Sequence, residues 1–430
     1  MRRSPVVRFR VPGLALSLSL PEICGSFGFD HIGGRASQMV PAKRIHLVRA
    51  STSPITCRVR NTPLSPSSDM SPQGLLSSLP VIDLSSFLEV GVAAGDSHPS
   101  AASDPDRTSR QSAVAASIHA ACRDYGFFYV TGFDSVISRE ERQGSLAVAR
   151  QFFDLPEPIK QRVRIDKGGD GARGWQKLGE NVTQYQADHH EGYDLYRPVK
   201  RPDATKLLHG HNLWPVEPAN FRPTLERWIE KCQVIGMALM QATAFGLGMA
   251  LDSDEWKHLR ASVDESFWVM RCIGYPPLPK DAKGVSCGAH KDYGCYTLLH
   301  TDSTPGALQV FLPSEQGASE ENGVRGSWIP ADPIQDAFVV NIGSMWEIWS
   351  AGLYKATIHR VLHKSPNYRV SIPFFFEPNF DAVIKPLPAA LKLRDEAAGA
   401  LKDGPEPTAH ADSVIYGEFL RSKVAGNFAP

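Results

Sequence analysis

From Leu79 onward the apolar residues fall into two successive rhythms, a helical one and then a strand-like one. Leu79-Pro80-Val81-Ile82-Asp83-Leu84 predicts a short strand, and the Gly-, Ala-, Ser-, Asp- and Pro-rich stretch from about Gly91 to Ser112 predicts a surface insertion. Val114, Ile118, Ala121 and Cys122 then recur at helical spacing until Gly126, ahead of a strand at Phe127-Phe128-Tyr129-Val130. Ser138 followed by Glu141 forms a capping-box pattern for a second helix through Phe152 and Phe153, which Pro156 and Pro158 stop. After Pro223, the positions Leu225, Trp228, Ile229, Cys232, Ile235, Leu239 and Ala242 mark a long amphipathic helix suited to backing a sheet, closed by Gly246 and Gly248.

Beyond Phe267 the rhythm shortens. Strands are predicted at Phe267 to Ile273, Cys295 to His300, Ala307 to Leu312, Phe338 to Ile342, Ala356 to Leu362 and Tyr368 to Phe376, with a polar hairpin loop over Ser314 to Ser327. Short strands with this turn spacing point to an antiparallel sandwich or jelly roll rather than a parallel sheet. There is no internal repeat. The tail, from Glu396, breaks at Gly404-Pro405 and ends in a helical piece, Val414 to Val424, placed to fold over a barrel mouth.

Composition narrows the functional classes. Hydrophobic content of 42% supports a sizeable core, and 46 basic residues balance 46 acidic ones, so no global field favours nucleic acid or an anionic membrane. No run of eighteen apolar residues predicts a membrane span. The seven cysteines, at 24, 57, 122, 232, 272, 287 and 295, form no Cys-x-x-Cys pair and read as free thiols of a reducing compartment. Residues 1–68 stand apart, with ten Lys or Arg, two acids and ten serines, the composition of a mitochondrial or plastid transit peptide. Two other readings stand beside that one: a secretory segment around Val11 to Leu20, poorly matched for want of a small-residue cleavage site, and a translation start at Met70 that leaves a cytoplasmic enzyme.

One constellation carries chemistry. In extended chain, residues two apart share a face, so His290 and Asp292 can converge on one ion while Lys291 points away. His359 must join them from a strand distant in sequence. Two imidazoles and one carboxylate on one face of an octahedral metal leave three adjacent positions for a bidentate acid and O2, the arrangement of non-haem Fe(II). Arg369 offers a guanidinium fork to a carboxylate, and the Ser371 hydroxyl, two residues along the same strand, faces the same pocket.

These residues sit within a longer resemblance. His290-Lys291-Asp292-Tyr293-Gly294 through Thr297-Leu298-Leu299, Ala307-Leu308-Gln309-Val310, Asn341-Ile342-Gly343, His359-Arg360-Val361 and Arg369-Val370-Ser371-Ile372-Pro373-Phe374-Phe375 resemble the isopenicillin N synthase-like branch of the Fe(II)/2-oxoglutarate dioxygenases. Ala121 to Phe128, Phe152 to Pro156, Glu191-Gly192-Tyr193-Asp194 and Asn212-Leu213-Trp214-Pro215 look like its N-terminal region. The resemblance covers roughly residues 79 to 390. It implies a mixed α/β fold of the mainly β type, with a double-stranded β-helix (jelly roll) core flanked by N-terminal helices and a long backing helix. The expected organisation is a disordered or targeting segment at 1–78, an N-terminal dioxygenase region at 79–250, the jelly-roll core at 267–390 and a helical tail at 391–430.

The resemblance further implies that His290, Asp292 and His359 hold Fe(II), that Arg369 and Ser371 bind the far carboxylate of 2-oxoglutarate, and that Tyr275 reaches this cosubstrate. Its decarboxylation to succinate, with O2, would supply the oxidant that removes a substrate hydrogen. One departure stands out: the run Arg271-Cys272-Ile273-Gly274-Tyr275-Pro276-Pro277 carries Ile273 where many plant members have an amide, which puts one cosubstrate hydrogen bond in doubt.

Other histidines receive plainer readings. His363 lies four after His359, too far along a strand to share its ion, and is assigned a surface or structural place; His189, His190, His209, His211 and His300 are read as hydrogen-bonded or solvated. Cys287 is taken as a buried thiol, with a pocket-lining place as the alternative, Phe374 to Phe376 as core, and Lys200-Arg201 as a solvated loop. The expected function is a 2-oxoglutarate-dependent dioxygenase that oxidises a small organic molecule by hydroxylation, desaturation or ring formation. The alternatives are an iron oxidase that uses no 2-oxoglutarate, of the isopenicillin N synthase or aminocyclopropane-carboxylate oxidase type, and a non-catalytic metal-binding sensor. Nucleic-acid and membrane partners are not expected, and oligomeric state receives no assignment.

Overall fold

In the computed structural model the described residues are 78–89, 105–167, 170–184, 186–203, 207–279, 285–400 and 413–427, all within the unit spanning 69–430. The targeting segment, the start at Met70 and the break at Gly404-Pro405 therefore lie outside them. Two sheets dominate. The larger runs β1 (Val81–Asp83), β2 (Phe127–Thr131), β13 (Phe338–Ile342), β9 (Tyr296–Thr301), β15 (Arg369–Phe376), β7 (Val269–Tyr275), β6 (Glu191–Tyr196) and β3 (Gly174–Gln176). The smaller runs β11 (Ser319–Glu321), β12 (Val324–Pro330), β10 (Leu308–Pro313), β14 (His359–Val361) and β8 (Cys287–His290). Ribbons of β4 (Val182–Thr183) with β5 (Gln186–Ala187), and of β16 (Val383–Ile384) with β17 (Val414–Ile415), complete the strands among the described residues.

Alternation along β15 shows how the layers form. Val370, Ile372, Phe374 and Phe376 are buried in the cluster shared with the helices, whereas Arg369, Ser371, Pro373 and Phe375 take the opposite face. Behind the first set lies α5 (Phe221–Gly246), and a Cβ on its Gly236 would overlap the Phe376 ring. Only glycine lets helix and strand approach so closely. α1 (Ser85–Leu88), α2 (Pro105–Asp124) and α3 (Arg139–Phe153) extend this backing layer, and α3 opens on the capping box between Ser138 and Glu141. The opposite faces of the two sheets enclose a second core that includes Ile273, Tyr275, Leu308, Val310, Val339 and Val361. Sheets that bury one face on helices and the other on a partner sheet read as long apolar runs rather than clean alternations, which is why texture alone leaves sandwich and jelly roll open.

Several expectations need correction. The insertion predicted to run to Ser112 ends earlier, because α2 begins at Pro105, a residue suited to a first helical turn, and its first turns expose Thr108, Ser109, Arg110 and Ser112 to solvent. Ser314 to Ser327 is not a bare loop: β11 and β12 pair there through Glu321 and Val324, turning at Asn322-Gly323, both with positive φ. The strand predicted over Ala356 to Leu362 is restricted to His359–Val361. Short helices at Glu157–Lys160 (α4), Asp254–Ala261 (α6) and Ser344–Trp349 (α7) were not anticipated. A further helix, α8 (Pro388–Ala400), precedes the tail helix α9 (Tyr416–Asn427), whose Leu420 and Val424 line the cleft described below. No helix among the described residues is long and apolar enough to cross a membrane.

Candidate functional site

His290 ends β8 and His359 begins β14, and the two are direct cross-strand partners. That register brings their ring centroids to 4.3 Å. Asp292, two residues past His290, directs Oδ1 to 3.6 Å from His290 Nε2 and 3.7 Å from His359 Nε2. The second ring nitrogens are committed elsewhere: His290 Nδ1 lies 2.8 Å from the Gly288 carbonyl and His359 Nδ1 3.1 Å from that of Thr357. Nδ1 in each ring therefore carries the proton, and the Nε2 lone pairs face the shared space. The remaining Asp292 oxygen, Oδ2, accepts from Thr297 Oγ1 and from Asn341 Nδ2 at 2.6 Å. Each group is thus held so that one unshared lone pair is left for an ion. This is how outer partners fix metal ligands.

The electrostatics split the two imidazoles: against its burial, neighbouring Cys287 and Asp292 push His290 up to about 10, so a cation must displace its proton. Burial pushes His359 down to about 4, reinforced by neighbouring His290, so its imidazole is in the neutral, ligating form. Burial opposes charge on Asp292 too, but His359, His290 and the Thr297 and Asn341 donors outweigh it and hold the carboxyl below its ordinary value. A neutral imidazole and an ionised carboxylate are the forms a cation needs.

A second group, Asp188, His190 and Cys287, lies beside the first. It is a brace. Asp188 Oδ1 accepts the Gly288 N–H at 2.8 Å, its Oδ2 accepts from Asn181 and Thr183, and His190 Nδ1 meets the Ser286 carbonyl at 2.7 Å, so both residues grip β8 just ahead of His290.

Deeper inside, Arg369 and Tyr275 face each other across β15 and β7, with the guanidinium 4.8 Å above the phenol ring. Arg369 is 1% exposed, yet its Nε and Nη1 have no hydrogen-bond partner. A buried guanidinium with idle donors costs several kcal/mol unless a ligand completes it. A carboxylate matches that fork. Ser371 lies on the same face of β15, and its cross-strand partner on β7 is Ile273, an apolar wall where an amide was the alternative.

Near the metal-ligand candidates opens a cleft of about 150 Å³. His290 and Asp292 line it, together with Arg271, Tyr293, Phe375, Glu377, Leu420 and Val424. Two expectations change here: Cys287 is half-buried and lines the cleft, and Phe375, read as core filler, also faces it. Phe375 follows from the two-residue period it shares with Arg369 and Ser371, whereas Cys287, three before His290, reaches the cleft where the β8–β14 register is irregular. The same period could have exposed Glu377, while Thr297 and Asn341 could be matched to Asp292 only in three dimensions. His363 is buried, with Nε2 2.6 Å from the Asn367 carbonyl, and is not part of the cluster. His300 is likewise internal, with Nε2 2.9 Å from the Arg142 carbonyl.

Comparison with known proteins gives a consistent picture. Residues 79–217 match the model described as non-haem dioxygenase in morphine synthesis N-terminal, and residues 265–378 match that of the 2OG-Fe(II) oxygenase superfamily. The chain is 36% identical to a homoarginine-6-hydroxylase of Arabidopsis thaliana, over 82% of this chain and 98% of that protein. It is 38% identical to a homoarginine-6-hydroxylase of Oryza sativa subsp. japonica, over 72% of this chain and 87% of the other. Among solved structures, a full-length Neurospora crassa protein crystallised in complex with alpha-KG superposes with a TM-score of 0.61 at 25% identity, covering 81% of this chain and 96% of that one.

Proposed function

Because this chain belongs to the 2OG-Fe(II) oxygenase superfamily, we propose that His290, Asp292 and His359 are its iron ligands and that Arg369, Ser371 and Tyr275 bind 2-oxoglutarate. The enzyme is a dioxygenase that oxidises a small organic molecule. One observation carries the site assignment: the three side chains have every other polar atom engaged and turn their unshared lone pairs on one point. The donor set of two imidazoles and a carboxylate suits ferrous iron, and the idle Arg369 fork suits the far carboxylate of the cosubstrate.

When bound, iron with 2-oxoglutarate and O2 supplies the oxidant that removes a hydrogen from substrate. The protein's own part is positional. Thr297 and Asn341 orient Asp292, the Gly288 and Thr357 carbonyls fix the imidazole tautomers, and Arg369 supplies positive charge deep in the barrel. Phe375, Leu420 and Val424 give the cleft apolar walls that limit water around the reacting carbon. Hydroxylation is the outcome that the homoarginine-6-hydroxylase relatives support. We also assign 79–250 to an N-terminal dioxygenase region, 267–390 to the jelly-roll core and 391–430 to the tail. Residues 1–78 lie ahead of both matched stretches, which fits equally an organellar leader over 1–68 and a translation start at Met70.

Purified protein reconstituted with Fe(II) and given labelled 2-oxoglutarate tests the site assignment. Release of succinate and CO2 that disappears in His359→Ala, and cosubstrate binding that weakens in Arg369→Ala, are the expected results. Equal 2-oxoglutarate affinity in wild type and Arg369→Ala refutes it.

A further inference from the structure

Glu377 stands just past the end of β15, and the two-residue period that gives Arg369, Ser371 and Phe375 to the barrel interior gives Glu377 to it as well. Glu377 lines the cleft together with His290 and Asp292. The space it occupies exists because residue 294 is glycine: a Cβ there would collide with Glu377 Oε2. Thus the chain omits a side chain two positions after Asp292 to admit a carboxyl group.

No cation among the described residues pairs with that carboxyl. Glu377 is 4% exposed, its Oε2 has no hydrogen-bond partner, and no ion pair to it is formed among the described residues. Arg271 and Lys291, which also line the cleft, are already committed, the first to Asp194 at 2.7 Å and the second to Glu347 at 3.0 Å. The polar neighbours of Glu377 are Tyr416 Oη, itself buried without a partner of hydrogen-bonding geometry, and the Cys295 N–H, which donates to the Phe376 carbonyl at 3.2 Å. Burial, with Asp292 adding its negative charge, pushes the Glu377 carboxyl well above the ordinary range. A buried carboxyl oxygen without a hydrogen-bond partner is a standing cost, which a cationic donor would reverse by supplying both charge and N–H groups.

We propose that Glu377 is a specificity-determining residue that binds a positively charged nitrogen, guanidinium or ammonium, of the substrate, so that this enzyme's substrate is a small organic cation. The inference rests on the iron and 2-oxoglutarate reading above and adds the group that selects what is oxidised. The cleft is built for this class: Phe375, Leu420 and Val424 offer an aliphatic chain apolar contact, and Glu377 holds its charged end close to the iron ligands. A neutral isostere would leave the carboxyl unpaired, which is the kind of mismatch that discriminates strongly between otherwise similar substrates.

The test measures binding anaerobically by calorimetry on protein loaded with Fe(II) and 2-oxoglutarate, and in parallel substrate-stimulated succinate formation in air. The probes are L-homoarginine and L-lysine, each set against a counterpart whose side chain is neutral: L-homocitrulline and Nε-acetyl-lysine. At least one cation binds and stimulates turnover, its counterpart binds ten-fold or more weaker, and Glu377→Gln removes most of that preference. Glu377→Asp, which keeps the charge on a shorter arm, restores part of it. If no cation binds better than its counterpart, or Glu377→Gln keeps the preference, the proposal is overturned. Affinity of the wild type for 2-oxoglutarate alone, and its loss in Arg369→Ala, report separately on the underlying reading.

Discussion

The two halves of the site are built on different ground. His290 and His359 come from β8 and β14, an edge pair of the smaller sheet held together by backbone carbonyls and by Asp188. Arg369, Ser371 and Tyr275 come from β15 and β7, inner strands of the larger sheet with helices behind them. Accordingly the candidate metal-ligand cluster reaches the cleft, with the His290 side chain 31% exposed, whereas Arg369 is sealed at 1%. Edge strands can open to admit an ion and a substrate. Inner strands offer low dielectric, where a single guanidinium has its strongest pull on a carboxylate. The difference teaches that orientation is supplied locally at the edge by hydrogen bonds, and globally in the centre by packing.

Changes that break this contrast most should be those at the ion itself. His290→Ala, Asp292→Ala or His359→Ala removes a ligand that nothing else replaces, and turnover should fall to background with iron content by metal analysis far below one per chain. Next, Arg369→Ala should weaken 2-oxoglutarate binding by well over ten-fold, because a charge-assisted pair contributes about 1.5–3 kcal/mol or more when buried. Iron content should survive. If iron is lost as well, edge and centre are one coupled unit rather than two.

Smaller effects sharpen the comparison. Asn341→Ala or Thr297→Val frees Asp292 Oδ2, and iron affinity by chelator competition should drop roughly 10–100-fold, the usual scale for an outer-partner change. Ser371→Ala should cost cosubstrate binding about 1 kcal/mol, the scale of one hydrogen bond. His363→Ala should leave iron binding nearly intact and lower stability by roughly 1–3 kcal/mol, since the Asn367 carbonyl would lose its buried partner. Thermal unfolding in the presence of chelator measures that cost without contribution from metal.

What the chain itself determined is periodic or local. Helical spacing before Gly246, the Ser138–Glu141 capping box, the short strands after Phe267 and the His290, Asp292, His359, Arg369 and Ser371 pattern are all legible in it, because each is dictated by backbone geometry or by the chemistry of one side chain. What only the tertiary structure decided is which residues stand beside them. That β8 and β14 are partners, that Thr297 and Asn341 share Asp292, that Cys287 and Phe375 face the cleft, and that Gly294 makes room for Glu377 all depend on register between strands remote in sequence. Register is set by how whole sheets pack and twist, a sum over many weak contacts, and no short stretch of residues contains that sum.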